Sequence, residues 1–225
     1  MLPERRHEIS RLEAFSDAAF AFALTLLVVS LDVPRSYADL IRTMRGLPSF
    51  ACCFALLVWI WSEHNMFFRR YGLHDGVTTF LNSVLMFVVL FYVYPLKFMF
   101  DSMFARFVAL PELEPMTLPQ LSRASAIYGL GFFVLFLMFA LLYRHASRQR
   151  HELQLTPAEV FDVKTFATHH LLSASVGLTS MSVALLAPYE LSPIAPTLFG
   201  LMGPVHWAYG AYSGRKRRAF LAAQR

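Results

Sequence analysis

The sequence predicts an all-α integral membrane protein with six transmembrane helices in one domain, residues 1–225. Two observations support this fold class. Only 16% of the residues are charged and 56% are hydrophobic, whereas ordinary soluble domains carry roughly 25% charged residues. The apolar residues also form six runs near the length of about 20 residues that a spanning helix needs. The expected spans are residues 14–31, 46–66, 76–100, 124–143, 165–189 and 193–213.

The polar start MLPERRHEIS has no short apolar run that ends in a cleavage site. We therefore expect the first helix to stay in the protein as a membrane anchor.

Basic residues beside the helix ends predict the orientation. With both termini in the cytoplasm, fourteen of the twenty Lys and Arg residues lie on the inner side and six on the outer side. The cluster GRKRR after the last span fits contact with anionic lipid, and we expect no nucleic-acid partner. The predicted location is the cell (plasma) membrane, as a multi-pass protein. The inner set is Arg5, Arg6, Arg11, Arg69, Arg70, Arg144, Arg148, Arg150, Lys164, Arg215, Lys216, Arg217, Arg218 and Arg225, and the outer set is Arg35, Arg42, Arg45, Lys97, Arg106 and Arg123.

Two local patterns refine the individual helices. Cys52 and Cys53 are adjacent in the second span, so their side chains point about 100° apart and are not expected to form a disulfide. The stretch LTPAEVFD predicts a new helix after the fourth span. Thr156 is its expected N-cap, Pro157 its first residue and Glu159 part of its first turn.

Ionisable residues inside a membrane each raise a functional hypothesis. A proton-coupled transporter usually needs a carboxylate near the midplane, but Asp17 and Glu63 lie at predicted cytoplasmic ends. We find no motif that combines a nucleophile with a base and no Cys/His metal spacing, so we expect no enzyme, no catalytic residue and no metal site. A small secondary transporter remains an alternative.

Histidines near the spans raise a second alternative, a membrane haem protein. His169 and His170 are adjacent and cannot face the same haem from one helix, while His206 lies in the last span. Hydrogen bonding between helices is the simpler interpretation, and we expect no cofactor.

The first helix carries a narrow apolar stripe when its residues are placed at 100° steps. Ser16 and Asp17 fall about 120–140° away from it, so we expect Asp17 to face neighbouring helices, with His64, Asn82 or a backbone N–H as its partner. Leu24 falls about 160° away and is expected to point outward. From periodicity alone, a stripe that faces lipid or the core is the simpler alternative. The stripe consists of Phe15, Ala18, Phe22, Leu26 and Val29.

The stretch RLEAFSDAAFAFALTLLVV resembles the first helix of the transmembrane protein 175 family, the endosomal/lysosomal potassium channel and its bacterial relatives. The family hallmark Arg-x-x-x-Phe-Ser-Asp is matched here by Arg11, Phe15, Ser16 and Asp17.

Further landmarks follow in the family's order. WIWSEHNMFFR resembles the Trp-x-x-His-x-x-x-Phe ending of the second helix through Trp61, His64 and Phe68. The third span resembles its counterpart through Asn82 near the start and Pro95 near the end. The resemblance is close over the first hundred residues and covers the rest in outline.

The resemblance implies a potassium-selective channel without a Thr-Val-Gly-Tyr-Gly filter, a motif that this sequence lacks. It also implies a homotetramer in a lipid bilayer, in which the first helices of symmetric copies line the pore. Potassium is then the permeant ion, and no cofactor is implied.

Carried over by position, the hydrophobic constriction falls on Phe22, Leu26 and Val29, with Thr25 as the pore-adjacent polar residue. The hallmark Arg11, Phe15, Ser16 and Asp17 would clamp the helices, and Trp61, His64 and Asn82 would form an interhelical network. Two positions depart from the family. Phe22 replaces the usual isoleucine or leucine, and Glu63 beside His64 is unusual and is expected to pair with Arg69 or Arg70.

Overall fold

The computed structural model describes residues 9–31, 33–105, 107 and 114–223, and within these residues all regular structure is helical. The predicted all-α fold is confirmed. Four basic residues of the orientation argument, Arg5, Arg6, Arg106 and Arg225, lie outside the described residues. The helices are α1 Arg11–Val29, α2 Tyr37–Arg45, α3 Leu47–Tyr71, α4 Gly76–Phe104, α5 Leu118–Arg148, α6 Pro157–Leu186, α7 Ile194–Thr197 and α8 Met202–Ala222, with short 3-10 turns at Tyr189–Leu191 and Leu198–Leu201.

Five helices in the described part of the chain are long and apolar enough to cross a membrane. They are α1, α3, α4, α5 and α6, and they correspond to the first five predicted spans. The fourth and fifth predicted spans are shorter than their helices, because α5 and α6 continue past the apolar runs into polar sequence.

The predicted sixth span, 193–213, stays a prediction, and the helices found in this stretch have other bounds. The chain first forms short turns over residues 189–201, a stretch that contains Pro193 and Pro196. Proline lacks the N–H that a helix interior requires, so the long helix is delayed. It begins at Met202 and continues into the basic tail as far as Ala222, which lowers its mean hydropathy.

Side-chain caps explain where the helices begin. Ser10 and Glu13 form a reciprocal capping box at the start of α1, with bonds of 2.7 and 3.2 Å. Thr156 and Glu159 form the same motif at α6, which confirms the predicted start of that helix. Such caps supply partners for backbone N–H groups that have none within the helix.

Helices α5 and α6 pack against each other at close backbone distance. A Cβ atom at Gly129 would lie 2.8 Å from the Gly177 carbonyl oxygen, and one at Gly177 would lie 2.8 Å from the Phe133 nitrogen. Small residues allow such close approach between membrane helices. Both cysteines of α3 are free thiols, as predicted.

Polar contacts bring both ends of the described chain to one end of the bundle. Asp75, before α4, bonds His145 near the end of α5 at 2.6 Å. Arg217 near the end of α8 makes a two-pronged ion pair with Asp162 near the start of α6, at 2.7 and 3.0 Å. Asn82, early in α4, bonds Ser16 near the start of α1. The first residues of α1 and the last residues of α8 therefore lie on the same side.

Candidate functional site

Helix α1 has one buried face and one free face. On the free face Phe15, Phe22 and Val29 are 61%, 56% and 70% exposed. These three residues fall within about 40° of one another around the helix. The stripe that the sequence indicates is thus uncovered in a single subunit. The buried residues of α1 are Ser16, Ala19, Phe20, Ala23 and Leu27.

Leu26 of the predicted constriction and the pore-adjacent Thr25 lie at the sides of the free face. Leu26 is partly buried, because it packs against the core of its own subunit. Thr25 is exposed, and its hydroxyl donates to the Ala21 carbonyl at 2.9 Å. This bond leaves the oxygen lone pairs of Thr25 facing away from the helix backbone.

The expectation that Leu24 points outward is wrong. Leu24 is partly buried against the hydrophobic core, because it lies about 160° from Phe22, on the side of α1 that packs against α3 and α4. Val28 lies about 120° from Phe22 around the helix and is 53% exposed. Val28 is therefore exposed without belonging to the stripe.

A buried polar network joins α1, α3 and α4. Asn82 Nδ2 donates to Ser16 Oγ at 2.8 Å, and His64 Nε2 lies 2.8 Å from Asn82 Oδ1. Because that amide oxygen only accepts, the geometry assigns the proton to His64 Nε2. Ser16 in turn donates to the Leu12 carbonyl at 2.8 Å. Ser16 and Asn82 are fully buried and His64 is 1% exposed, so three helices share one hydrogen-bonded chain.

Asp17 has a different partner from those that the sequence suggested. Its Oδ1 accepts a hydrogen bond of 2.8 Å from Trp61 Nε1, and this side chain is exposed rather than buried. It is Ser16 that contacts the Asn82–His64 pair. The sequence places these residues near one another, but only the relative rotation of α1 and α3 decides which pairs form.

The remaining hallmark residues, Arg11 and Phe15, are exposed in the single subunit. These two side chains and Phe22 therefore point out of the subunit, whereas Ser16 and Asp17 bond to neighbouring helices.

The histidines contact neighbouring helices, as the simpler interpretation expected, but sequence reasoning did not predict their partners. His206 on α8 bonds His169 through the two Nδ1 atoms at 2.9 Å, and its Nε2 lies 2.9 Å from Ser173 Oγ. His170 Nε2 lies 3.6 Å from Glu63 Oε2. The pairing of Glu63 with Arg69 or Arg70 stays a prediction. No group of three or more His, Cys, Asp or Glu side chains within the described residues is arranged to hold a metal ion.

Asp75, just before α4, is a charged group that stabilises the end of the bundle where α4 begins and α5 ends. Burial of Asp75 acts to raise its pKa, but hydrogen bonds from the Thr78 backbone N–H and from His145 lower that pKa to about 2. The Asp75 carboxylate is thus ionised at neutral pH, where it caps α4 at 2.7 Å and contacts α5.

These observations define a helical membrane protein of several spans whose first helix carries an unpartnered apolar face. A family model described as endosomal/lysosomal potassium channel TMEM175 matches residues 11–92. A relative from Marivirga tractuosa described as a potassium channel is 37% identical, over 96% of this chain and 92% of its own. The chain belongs to the TMEM175 family.

Further comparisons agree with this assignment. A potassium channel of Chamaesiphon minutus is 28% identical over 62% of this chain and 66% of its own. A solved structure of a variant of the potassium channel MtTMEM175, in complex with a nanobody fusion protein, matches with a TM-score of 0.84 and 35% identity, covering 95% of this chain and 97% of that chain. A lysosomal potassium-selective channel TMEM175 homologue from Chamaesiphon minutus shares the fold at a TM-score of 0.57 and 22% identity, over 90% and 96% of the two chains. These relatives are channels and not enzymes.

Proposed function

We propose that this chain forms a potassium-selective channel in which the α1 helices of four symmetric copies line one pore. The observation that carries the proposal is the uncovered stripe of Phe15, Phe22 and Val29, which lies opposite the buried face of α1. The relatives described as potassium channels support potassium as the permeant ion.

A single subunit offers a pore wall but no enclosure. Its α1 contacts α3 and α4 on one side only, so the opposite side needs further copies to become buried. Closed cyclic symmetry brings the same face of each copy to one axis. Each copy, with its six expected membrane spans, then acts as one domain beside that axis.

The constriction consists of Phe22, Leu26 and Val29 from each copy. Apolar rings of this kind block ions by dewetting, because an apolar wall does not replace the water that an ion must lose. Opening must widen or wet the ring. Thr25 is exposed beside these layers and supplies hydroxyl oxygens to a passing cation. No carbonyl filter of the Thr-Val-Gly-Tyr-Gly type is encoded in the chain.

The polar network fixes the angle at which α1 presents this stripe. Ser16 bonds Asn82 and Asp17 bonds Trp61 on the side of α1 away from Phe22. A rotation of α1 about its axis would break both bonds. We infer that these contacts hold the pore face in register and do not contact permeant ions.

We place the protein in the cell membrane with both termini in the cytoplasm. The excess of basic residues on that side, fourteen against six, supports this orientation. The Asp162–Arg217 and Asp75–His145 contacts support a common side for the two ends of the bundle.

The test is a flux assay in liposomes that contain the purified protein. An outward potassium gradient should drive flux that a sodium gradient of the same size does not match. Saturable flux that requires a counter-ion would instead indicate a secondary transporter, and absence of flux for both ions in well-folded protein would contradict the channel.

A further inference from the structure

Helix α2 has no buried residue, although in the chain it connects the membrane helices α1 and α3. Its apolar side chains are uncovered, and Tyr37 and Met44 are 78% and 49% exposed. Leu40 and Ile41 are also exposed. A short helix with apolar residues and no core of its own needs another environment to cover them.

The apolar residues of α2 form one stripe. At 100° per residue, Tyr37, Leu40, Ile41 and Met44 fall within about 100° of one another. Arg42 lies about 160° from Met44 on the opposite side, where its Nη1 pairs with Asp39 Oδ1 at 3.2 Å. The helix is therefore apolar on one side and charged on the other.

The position of α2 places this stripe at the membrane boundary. The apolar helix α1 ends at Val29 and α3 begins at Leu47, so the connection between them lies where the chain leaves and re-enters the bilayer. Gly46 is at once the C-cap of α2 and the N-cap of α3. One residue thus separates α2 from a spanning helix, and α2 cannot move far from the surface.

We propose that α2 is an interfacial helix that lies in the membrane surface, with its apolar stripe against the acyl chains and its arginines at lipid phosphates. Such helices combine an apolar face at the acyl boundary with a polar face rich in Lys and Arg. Arg45 lies about 100° from Met44, and its long side chain reaches the headgroups while its stem covers apolar surface.

A second copy of the chain fits this surface less well than lipid does. Nine residues form a helix only about 14 Å long, and four side chains cannot supply the roughly 800 Å² per partner of a standard interface. The helix and the residues beside it are also positively charged. Among the described residues here there are three arginines and one carboxylate, namely Arg35, Arg42, Arg45 and Asp39. This excess of positive charge matches lipid phosphate.

Site-specific spin labels on the full chain in vesicles test the proposal, after Cys52 and Cys53 are replaced by alanine. Labels on L40C and M44C should be more accessible to oxygen than to a water-soluble nickel chelate. A label on A38C, an exposed position about 40° from Arg42 on the charged side, should show the reverse order. Equal access of the chelate to all three labels would contradict the proposal. Protection of the Met44 label from both reagents would also contradict it, because a protein surface would then cover the stripe.

The arginines provide the second arm of the test. Replacing Arg42 and Arg45 by glutamine should make the Met44 label shallower in vesicles that contain phosphatidylglycerol and leave it unchanged in phosphatidylcholine alone. R123Q, a charge change near the start of α5, is the control and should have no effect on that label. The same depth for the double variant in both lipids would overturn the role of the arginines. This test does not depend on potassium flux, so it can fail or succeed independently of the channel proposal.

Discussion

Asn82 Nδ2 lies 2.8 Å from Ser16 Oγ, and this hydrogen bond joins α4 to α1 between two fully buried side chains. The bond lies on the opposite side of α1 from Phe22. Helix attachment and the free apolar stripe therefore belong to separate faces of α1, and substitutions on the two faces should have different consequences.

Ser16→Ala should destabilise the protein without changing its ion preference. The variant leaves Asn82 Nδ2 without its partner in a buried site, and an unpaired buried polar group costs about 1–3 kcal/mol. Thermal unfolding in detergent measures the loss, and flux measures the potassium-to-sodium ratio. The control is Ser83→Ala, which removes another serine hydroxyl bonded within its own helix but exposed. Equal stability of the two variants would contradict the role of the network, and so would a folded Ser16→Ala protein with altered selectivity.

The Asp17–Trp61 contact should contribute little to stability and nothing to selectivity. Hydrogen bonds between membrane helices average about 0.6 kcal/mol, and Asp17 is exposed. Trp61→Phe keeps an aromatic ring but removes the N–H donor, so it should cost about as much as Asp17→Ala. The double variant should cost no more than either single one. Fully additive losses would show that the two side chains do not act on each other.

Gly177→Ala should destabilise the α5–α6 pair. The added Cβ would lie 2.8 Å from the Phe133 nitrogen and 2.9 Å from the Gly129 oxygen, and overpacking of this kind costs typically about 1–3 kcal/mol. Gly210→Ala in α8 is the control, because a Cβ atom at Gly210 would have no described neighbour within 4 Å outside its own helix backbone. A lower unfolding temperature is expected for Gly177→Ala alone, and equal unfolding temperatures would show that the close crossing is not required.

The C-terminal end of α8 should be inaccessible from outside the cell, and the segment before α5 should be accessible. In a background without Cys52 and Cys53, a membrane-impermeant thiol reagent should label a cysteine at Glu114 on intact cells. It should not label a cysteine at Ala223 until the membrane is opened. The opposite pattern would invert the orientation, and labelling at both positions would contradict the three membrane crossings expected between Glu114 and Ala223.

The sequence alone was sufficient for the fold class and for the two faces of α1. Periods of 3.6 residues and capping residues are local, so the stripe around Phe22 and the start of α6 at Thr156 follow from them directly. The sixth span was harder, since Pro193 and Pro196 interrupt an apolar run that still has the composition of a membrane helix.

Contacts between helices could not be predicted in the same way. The donor to Asp17 is Trp61 and not His64, although the two donors are three residues apart on α3. Choosing between them requires the rotation and depth of α3 relative to α1, which depend on packing of the whole bundle. The same reason explains why the His169–His206 contact and the partial burial of Leu24 were missed.

The central claim is that the exposed stripe of α1 lines the pore, and potassium flux through Phe22→Ala and Val28→Ala tests it most directly. Both positions are exposed, at 56% and 53%, but only Phe22 lies on the stripe. Phe22→Ala should raise potassium flux and weaken discrimination against sodium, Phe22→Asn should raise flux further by wetting the ring, and Leu26→Ala should have a smaller effect. Val28→Ala should behave as the unmodified protein does. If Phe22→Ala and Val28→Ala both match the unmodified protein in single-channel recordings, the stripe does not line the pore.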